Sequence, residues 1–329
     1  MNKLVSFIIP AYNVGKYLEK CVLSIEKQNY SEIEILIIND GSTDNTLEVS
    51  LLLAKQFDNI IVINKENEGV SASRNLGIKK STGEWIVFVD GDDYLASDFL
   101  EHMFHIHNLT GADFCMTTDC YTQRNEEQNK TTKINRKEQI DATLLLLSSQ
   151  VEVGCWNKMF KRQLLVDNSV FFRTDLFYGE GLYFITMLSQ LANCIGVSNK
   201  KIYYYRQNNS ISATKRFDIN KIHNGWKALN EIEYSLKIKN EKILYGIEQH
   251  RCLFCLSAMT KMLNANVCSD FEEDYFFYKD YFRHSFMKHF FDKYISNKIR
   301  IKMLICYLFP SILSYFSKKS ITQRAKKSV

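Results

Sequence analysis

Apolar residues in the first half of the chain fall in short unbroken runs, each ending in polar or acidic positions. Leu4-Val5-Ser6-Phe7-Ile8-Ile9 stops at Pro10, and Glu34-Ile35-Leu36-Ile37-Ile38 stops at Asn39-Asp40-Gly41-Ser42. Ile60-Ile61-Val62-Ile63 is a third run, and Trp85-Ile86-Val87-Phe88-Val89 stops at Asp90. Runs of this length without alternation predict strands covered on both faces. Between them the period changes. Tyr17, Leu18, Cys21, Val22 and Ile25 recur at helical spacing, which predicts a helix over about residues 14–28. Thr43 or Asp44 caps a second helix, a third begins near Val70, and a fourth covers about residues 97–107, ahead of a fifth strand at 113–116.

Alternating strands and helices imply βαβ units and an α/β fold on a largely parallel sheet. Ligands of such sheets gather outside the carboxyl ends of the strands. The strand ends at 10–13, 39–42 and 90–93 are therefore expected to face one crevice. Past Tyr121 the pattern changes. Residues 124–137 are polar and read as a surface loop, 138–217 mix helices with short strands, and the chain from about 218 reads as helices. A boundary near 217 divides it into 1–217 and a helical region, 218–329.

Composition narrows the class. Of 329 residues, 46% are hydrophobic and 24% charged, enough for a real core, and two prolines leave no room for a Pro-rich linker. The nine cysteines are an odd count, and Cys252, Cys255 and Cys306 sit in apolar helical stretches. They read as reduced core residues of a cytoplasmic protein, and Cys252-x-x-Cys255 lacks the second pair that a zinc site needs. Met1-Asn2-Lys3 runs straight into the first strand, without the pattern of a signal peptide.

The net charge is +5, and residues 318–327 carry five basic side chains and no acid, either a solvated end or a phosphate-seeking one. Residues 299–316 are strongly apolar and flanked by basic residues at both ends, which fits a helix lying on a membrane surface, a helix packed on the protein, or an oligomer interface. No nucleic-acid-binding module is recognisable, so aromatic and lysine content alone does not point to RNA. His102, His105 and His107 read as an ordinary helix surface rather than a metal cluster.

Three segments carry candidate chemistry. Asp90-Gly91-Asp92-Asp93 crowds three carboxylates at the end of a buried strand. Such repulsion calls for a positive partner, and a hard divalent cation fits, although an acidic turn before a helix is the plain alternative. Asp40 ends the second strand beside Gly41. Asn67-Glu68-Gly69-Val70-Ser71-Ala72-Ser73-Arg74-Asn75 offers small residues and one planar cation, Arg74. No Walker loop occurs and no G-x-G-x-x-G follows the first strand, which argues against P-loop and NAD-binding enzymes. Pro10-Ala11-Tyr12-Asn13 is not the Gly-rich loop of a sugar nucleotidyltransferase.

In order and spacing, 7–13, 38–44, 67–75 and 90–93 resemble the successive motifs of the family-2 glycosyltransferases. Cys155-Trp156-Asn157-Lys158-Met159-Phe160-Lys161, and Tyr204-Tyr205-Arg206 followed by Ser210-Ile211-Ser212, resemble the bacterial capsule and teichoic acid branch. The resemblance implies a GT-A fold and an inverting transfer from a nucleotide-sugar, usually a UDP-sugar, to a glycan or lipid-linked glycan. It implies Mn²⁺ or Mg²⁺ as cofactor, and work at the inner face of the cell membrane. Pro10, Ala11, Tyr12, Asn13 and Asp40 would hold the nucleobase side. Arg74, Asp90 and Gly91 would line the donor, Asp92 and Asp93 the metal, and Arg206, Ser210 and Ser212 the diphosphate. Trp156, Asn157 and Lys158 fall on the acceptor side.

The sequence departs from the family at the base. The usual Glu-Asp pair is Glu180-Gly181 here. That leaves Glu180 as base, with Asp175 as substitute, or Glu180 as a mere charge on a helix start. A catalytically impaired member that binds nucleotide-sugar or scaffolds a partner is the competing expectation.

Overall fold

The computed structural model describes residues 3–123, 125–206, 217–292 and 295–310. Its elements begin β1 (Val5–Ala11), α1 (Gly15–Glu26), β2 (Ile33–Asp40), α2 (Thr46–Gln56), β3 (Ile60–Lys65), α3 (Val70–Lys80) and β4 (Trp85–Phe88). There follow β5 (Tyr94–Leu95), α4 (Phe99–Thr110), β6 (Phe114–Thr117), β7 (Ile134–Glu138), α5 (Gln139–Leu147), β8 (Lys158–Lys161) and α6 (Arg162–Asp167). Next come α7 (Glu180–Ser189), β9 (Cys194–Ser198), β10 (Tyr203–Tyr204), α8 (Ile219–Ser235), α9 (Glu241–Ala265), α10 (Glu272–Phe290) and α11 (Asn297–Leu308).

Among the described residues, eight strands form one sheet in the order β3-β2-β1-β4-β8-β6-β9-β7, and β10 pairs with β5 in a small second sheet. Neighbours β3, β2, β1 and β4 are all parallel, so their carboxyl ends share one edge. β8 runs antiparallel to both β4 and β6, and β7 antiparallel to β9. The mostly parallel sheet with helices on both faces is the expected α/β architecture.

Successive residues of β1 enter opposite cores. Phe7 and Ile9 join an apolar cluster with α1 and α4, while Ile8 joins the cluster beneath α3, α5 and α7. That two-sided burial explains the unbroken apolar runs. At the opposite end of the sheet, the buried Glu34 carboxylate accepts from the Ser6 hydroxyl, from Thr82 N and Oγ1, and from Gly83 N, fixing the turn into β4.

Two expectations change. The polar stretch 124–137 contains β7, an edge strand whose sequence is Ile-Asn-Arg-Lys-Glu. Edge strands carry charge to discourage further pairing, and this hides them from an apolar pattern. Packing also crosses residue 217. Leu229 and Ile232 of α8 and Ile243 and Ile247 of α9 belong to the same apolar cluster as Phe160 and Phe184. The rest of the helical region, including Cys252, Cys255 and Cys306, forms its own cluster. All nine cysteines are unpaired, and all but Cys268 are buried.

Candidate active site

The loops after β1 and β2 are laced together. Asn13, with φ 53°, accepts at Oδ1 from Thr43 N at 2.8 Å, and its own N–H donates to Ser42 Oγ at 3.0 Å. Asp44 accepts from Gly15 N at 3.2 Å. Pro10 and Ala11 lie in β1, and Tyr12 stands 51% exposed on the rim. Asn13 thus braces this edge.

Asp40 is almost fully buried, and its loop encloses it. It accepts from Lys65 Nζ at 2.5 Å, from Glu68 N at 3.0 Å and from Gly69 N at 2.9 Å. Burial pushes its carboxyl up, but the bonds from Lys65 and Glu68 N outweigh this, and it titrates below the usual carboxylate range. Gly41, at φ 67°, permits the turn, since a side chain there would strike Asn67 N at 2.8 Å. Lys65, the third-strand partner that neutralises Asp40, was not apparent as a site residue in the sequence.

The acidic strip follows β4. Gly91 lets this loop press on the first one, since a Cβ there would lie 2.9 Å from Val14 Cγ2. Asp93 departs from its expected role as a metal ligand. It is 1% exposed, and it accepts from Tyr203 Oη at 2.8 Å and Arg206 N at 2.7 Å. Burial first, then Asp90 and Asp92, push its carboxyl well above the usual range. It pins β10 to the strip instead of facing solvent. Arg206 returns to the same loop, donating from Nε to Asp92 O at 2.7 Å, with its guanidinium over the rings of Tyr17 and Tyr94. Ser210 and Ser212 lie outside the described residues.

Arg74 joins the two ends of the site. From α3 it donates from Nη2 to Asp90 Oδ1 at 2.9 Å and from Nη1 to Glu180 Oε1 at 3.1 Å. The guanidinium is buried beside the Phe172 ring. Glu180 opens α7 behind Gly179, whose φ is 90°. It lines a cavity of about 470 Å³ together with Trp156, Phe177, Tyr205, Leu229 and Phe254. Gly181 lies against the neighbouring loop, where a Cβ would come 3.2 Å from Val153 O. Asp175, the substitute base, points elsewhere, into ion pairs with Arg173 and Lys227.

Of the three residues expected on the acceptor side, Trp156 lines a cavity and its two neighbours do not. Trp156 lines the Glu180 cavity and stacks on Tyr205 with centroids 5.2 Å apart. Asn157 and Lys158 are fully buried. Asn157, at φ 51°, donates to Thr117 O at 2.7 Å, and the Lys158 ammonium donates to Glu152 O, Trp156 O and Asn157 Oδ1. Burial brings Lys158 down to about 8. These two side chains shape the turn into β8, because a buried amine must satisfy its donors locally. His102 is likewise internal rather than on the surface, bonded to Ser198 Oγ at 2.8 Å.

The negative field of Asp90, Asp92 and Asp93 fits a hard cation. It also raises the buried Cys21 thiol, after burial itself. Among the described residues no three ligating side chains form a closed shell, so a bound cation would draw further oxygens from its ligand.

A sheet of this order, flanked by helices on both faces, is the GT-A fold. Residues 6–167 match the family model described as glycosyl transferase family 2. Similar proteins include the uncharacterized glycosyltransferase EpsJ of Bacillus subtilis, 29% identical over 216 residues, 63% of this chain. The matched region spans 62% of the length of EpsJ. The fold is shared with S. aureus TarS 1–349, crystallised with UDP-GlcNAc, at TM-score 0.70 and 18% identity over 96% of this chain and 92% of that one. It is also shared with the mannosyltransferase PcManGT of Pyrobaculum calidifontis, in complex with GDP-Man and Mn²⁺, at TM-score 0.56 and 16% identity over 94% and 88%.

Proposed function

We propose that the protein is an inverting, metal-dependent glycosyltransferase that moves a sugar from a UDP-sugar to a hydroxyl of a glycan in bacterial surface polysaccharide synthesis. The observation that carries this reading is Arg74, which holds Asp90 of the acidic strip and Glu180 of the aromatic cavity on one guanidinium. Donor and acceptor sides then meet at a single point. The nucleotide-sugars bound by the two fold relatives supply the donor class.

Glu180 receives the proton of the acceptor hydroxyl as that oxygen attacks the anomeric carbon from the face opposite the leaving diphosphate. Trp156 and Tyr205 offer apolar ring faces beside it for a sugar. Asp92, with Asp90 beside it, would hold Mn²⁺ or Mg²⁺, which when bound neutralises the pyrophosphate. Arg206 adds positive charge to the same place. We read 1–217 as the catalytic unit and 218–329 as a helical region built onto it.

We propose the inner face of the cell membrane as the place of this work. Ile301, Leu304 and Leu308 are exposed on one face of α11, beside Lys298 and Arg300. No helix among the described residues is long and apolar enough to cross a membrane. Co-sedimentation with anionic but not neutral vesicles tests the placement.

A second reading, nucleotide-sugar binding without turnover, draws on Gly181 and on the ion pair that occupies Glu180. A screen of UDP-sugars for UDP release with and without Mn²⁺, repeated on Glu180→Gln, decides between them. Release that depends on Mn²⁺ and on Glu180 supports the enzyme. Tight UDP-sugar binding with no release from any donor and acceptor supports the binder.

A further inference from the structure

The segment that carries Glu180 is held by α8, far along the chain. Asn224 of α8 is buried, and its Oδ1 accepts from two successive backbone N–H groups, Phe177 and Tyr178, each at 2.8 Å. Its Nδ2 donates to Asp175 O at 3.3 Å. One carboxamide therefore fixes three backbone groups immediately ahead of Gly179 and Glu180. The contacts continue along the helix. Lys227 pairs with Asp175, and Glu231 pairs with Arg173. Ala228 lies so close that a Cβ at Gly179 would be 2.7 Å from its own. Positions 224, 227, 228 and 231 fall on one helical stripe, so α8 presents a continuous face to this segment.

Solvent-exposed ion pairs of the kind made by Lys227 and Glu231 contribute little. The carboxamide differs, because removing it leaves backbone donors without partners and releases the turn into α7. Gly181 sharpens the dependence. A Glu-Asp pair would offer two carboxylates, whereas here a single one must be aimed.

We infer that Asn224 is a positioning residue that sets Glu180 in the reacting cleft, so that the helical region completes the active site. The inference rests on the reading of Glu180 as base. The full chain with Mn²⁺ and the UDP-hexose of highest turnover is assayed for UDP release, with water as acceptor. Misplacing a catalytic group by about an ångström costs on the order of tenfold to a hundredfold, so N224A lowers kcat by that much with donor KM unchanged. N224D keeps the double acceptor and restores most of the rate. In an E180Q background N224A costs nothing further, because its effect passes through Glu180.

Equal losses in N224A and N224D, an unchanged kcat in N224A, or full additivity with E180Q would each overturn the inference and leave the Glu180 reading intact. Wild-type release by E180Q removes that reading, and the inference falls with it. Should N224A not fold, N224S, which keeps one acceptor oxygen, takes its place beside N224D.

Discussion

Arg74 Nη1 meets Glu180 Oε1 across 3.1 Å, although 106 positions separate the two residues. The same guanidinium holds Asp90 on its other arm. One cation from α3 thus sets the distance between the acidic strip and the candidate base. Arg74→Ala leaves two largely buried carboxylates uncompensated and is expected to cost about 3–5 kcal/mol of folding stability, read from urea unfolding. Arg74→Lys keeps the charge but loses the planar fork that spans both partners. Its stability loss is smaller, and UDP release falls by about tenfold or more because the carboxylates lose their mutual alignment.

Gly181→Ala tests whether the loop at 153–155 closes the place where the family carries its Asp. Replacing a helical glycine ordinarily gains roughly 0.5–1 kcal/mol. Here the added methyl lies 3.2 Å from Val153 O and 3.5 Å from Gly154 Cα. Overpacking of this kind costs about 1–3 kcal/mol and outweighs the gain. The urea midpoint should fall, whereas a rise would show that the loop yields.

Divalent metal removal addresses the acidic strip. UDP affinity measured by calorimetry should drop at least tenfold, about 1.4 kcal/mol, when EDTA replaces Mn²⁺. Asp92→Asn should bind UDP with the same low affinity in both conditions. A variant that still gains affinity from Mn²⁺ would move the metal elsewhere.

His102 gives a pH signature far from the cleft. Burial first, then Lys200, bring it down to about 4 from its ordinary 6.5. Between those values the unfolded chain binds a proton that the folded chain refuses, so stability rises with pH across this window. Acidification from pH 6.5 towards 4 should therefore destabilise the wild type more than His102→Gln, a difference visible in melting temperatures at pH 7 and pH 5.

Much of this was legible in the residues. Two-sided strands announce themselves as unbroken apolar runs, and Asp40 and Asp90 sit where such strands must end. That Glu180 and Trp156 line one cavity came only with the structure. What escaped was what depends on closure in three dimensions. Asp93 and Asp92 look alike in sequence, yet Tyr203 from β10 draws one inward. Lys158 stands two residues after Trp156, but Asn157 turns the chain between them at φ 51°, so one lines a cavity and the other is entombed. Asn224 carries no local signal, since an asparagine within a helix is usually a solvent-facing accident.

The apolar cluster shared by α7, α8 and α9 has a practical corollary. The N-terminal half is not a detachable cassette. A chimera spliced at residue 217 would strip the greasy underside from Phe184 and Leu188 and unclasp the turn before Glu180. Domain shuffling that preserves the cleft has to carry Ile219–Ser235 and the front of the following helix as one inheritance, which ties any change in those helices to the geometry around Glu180.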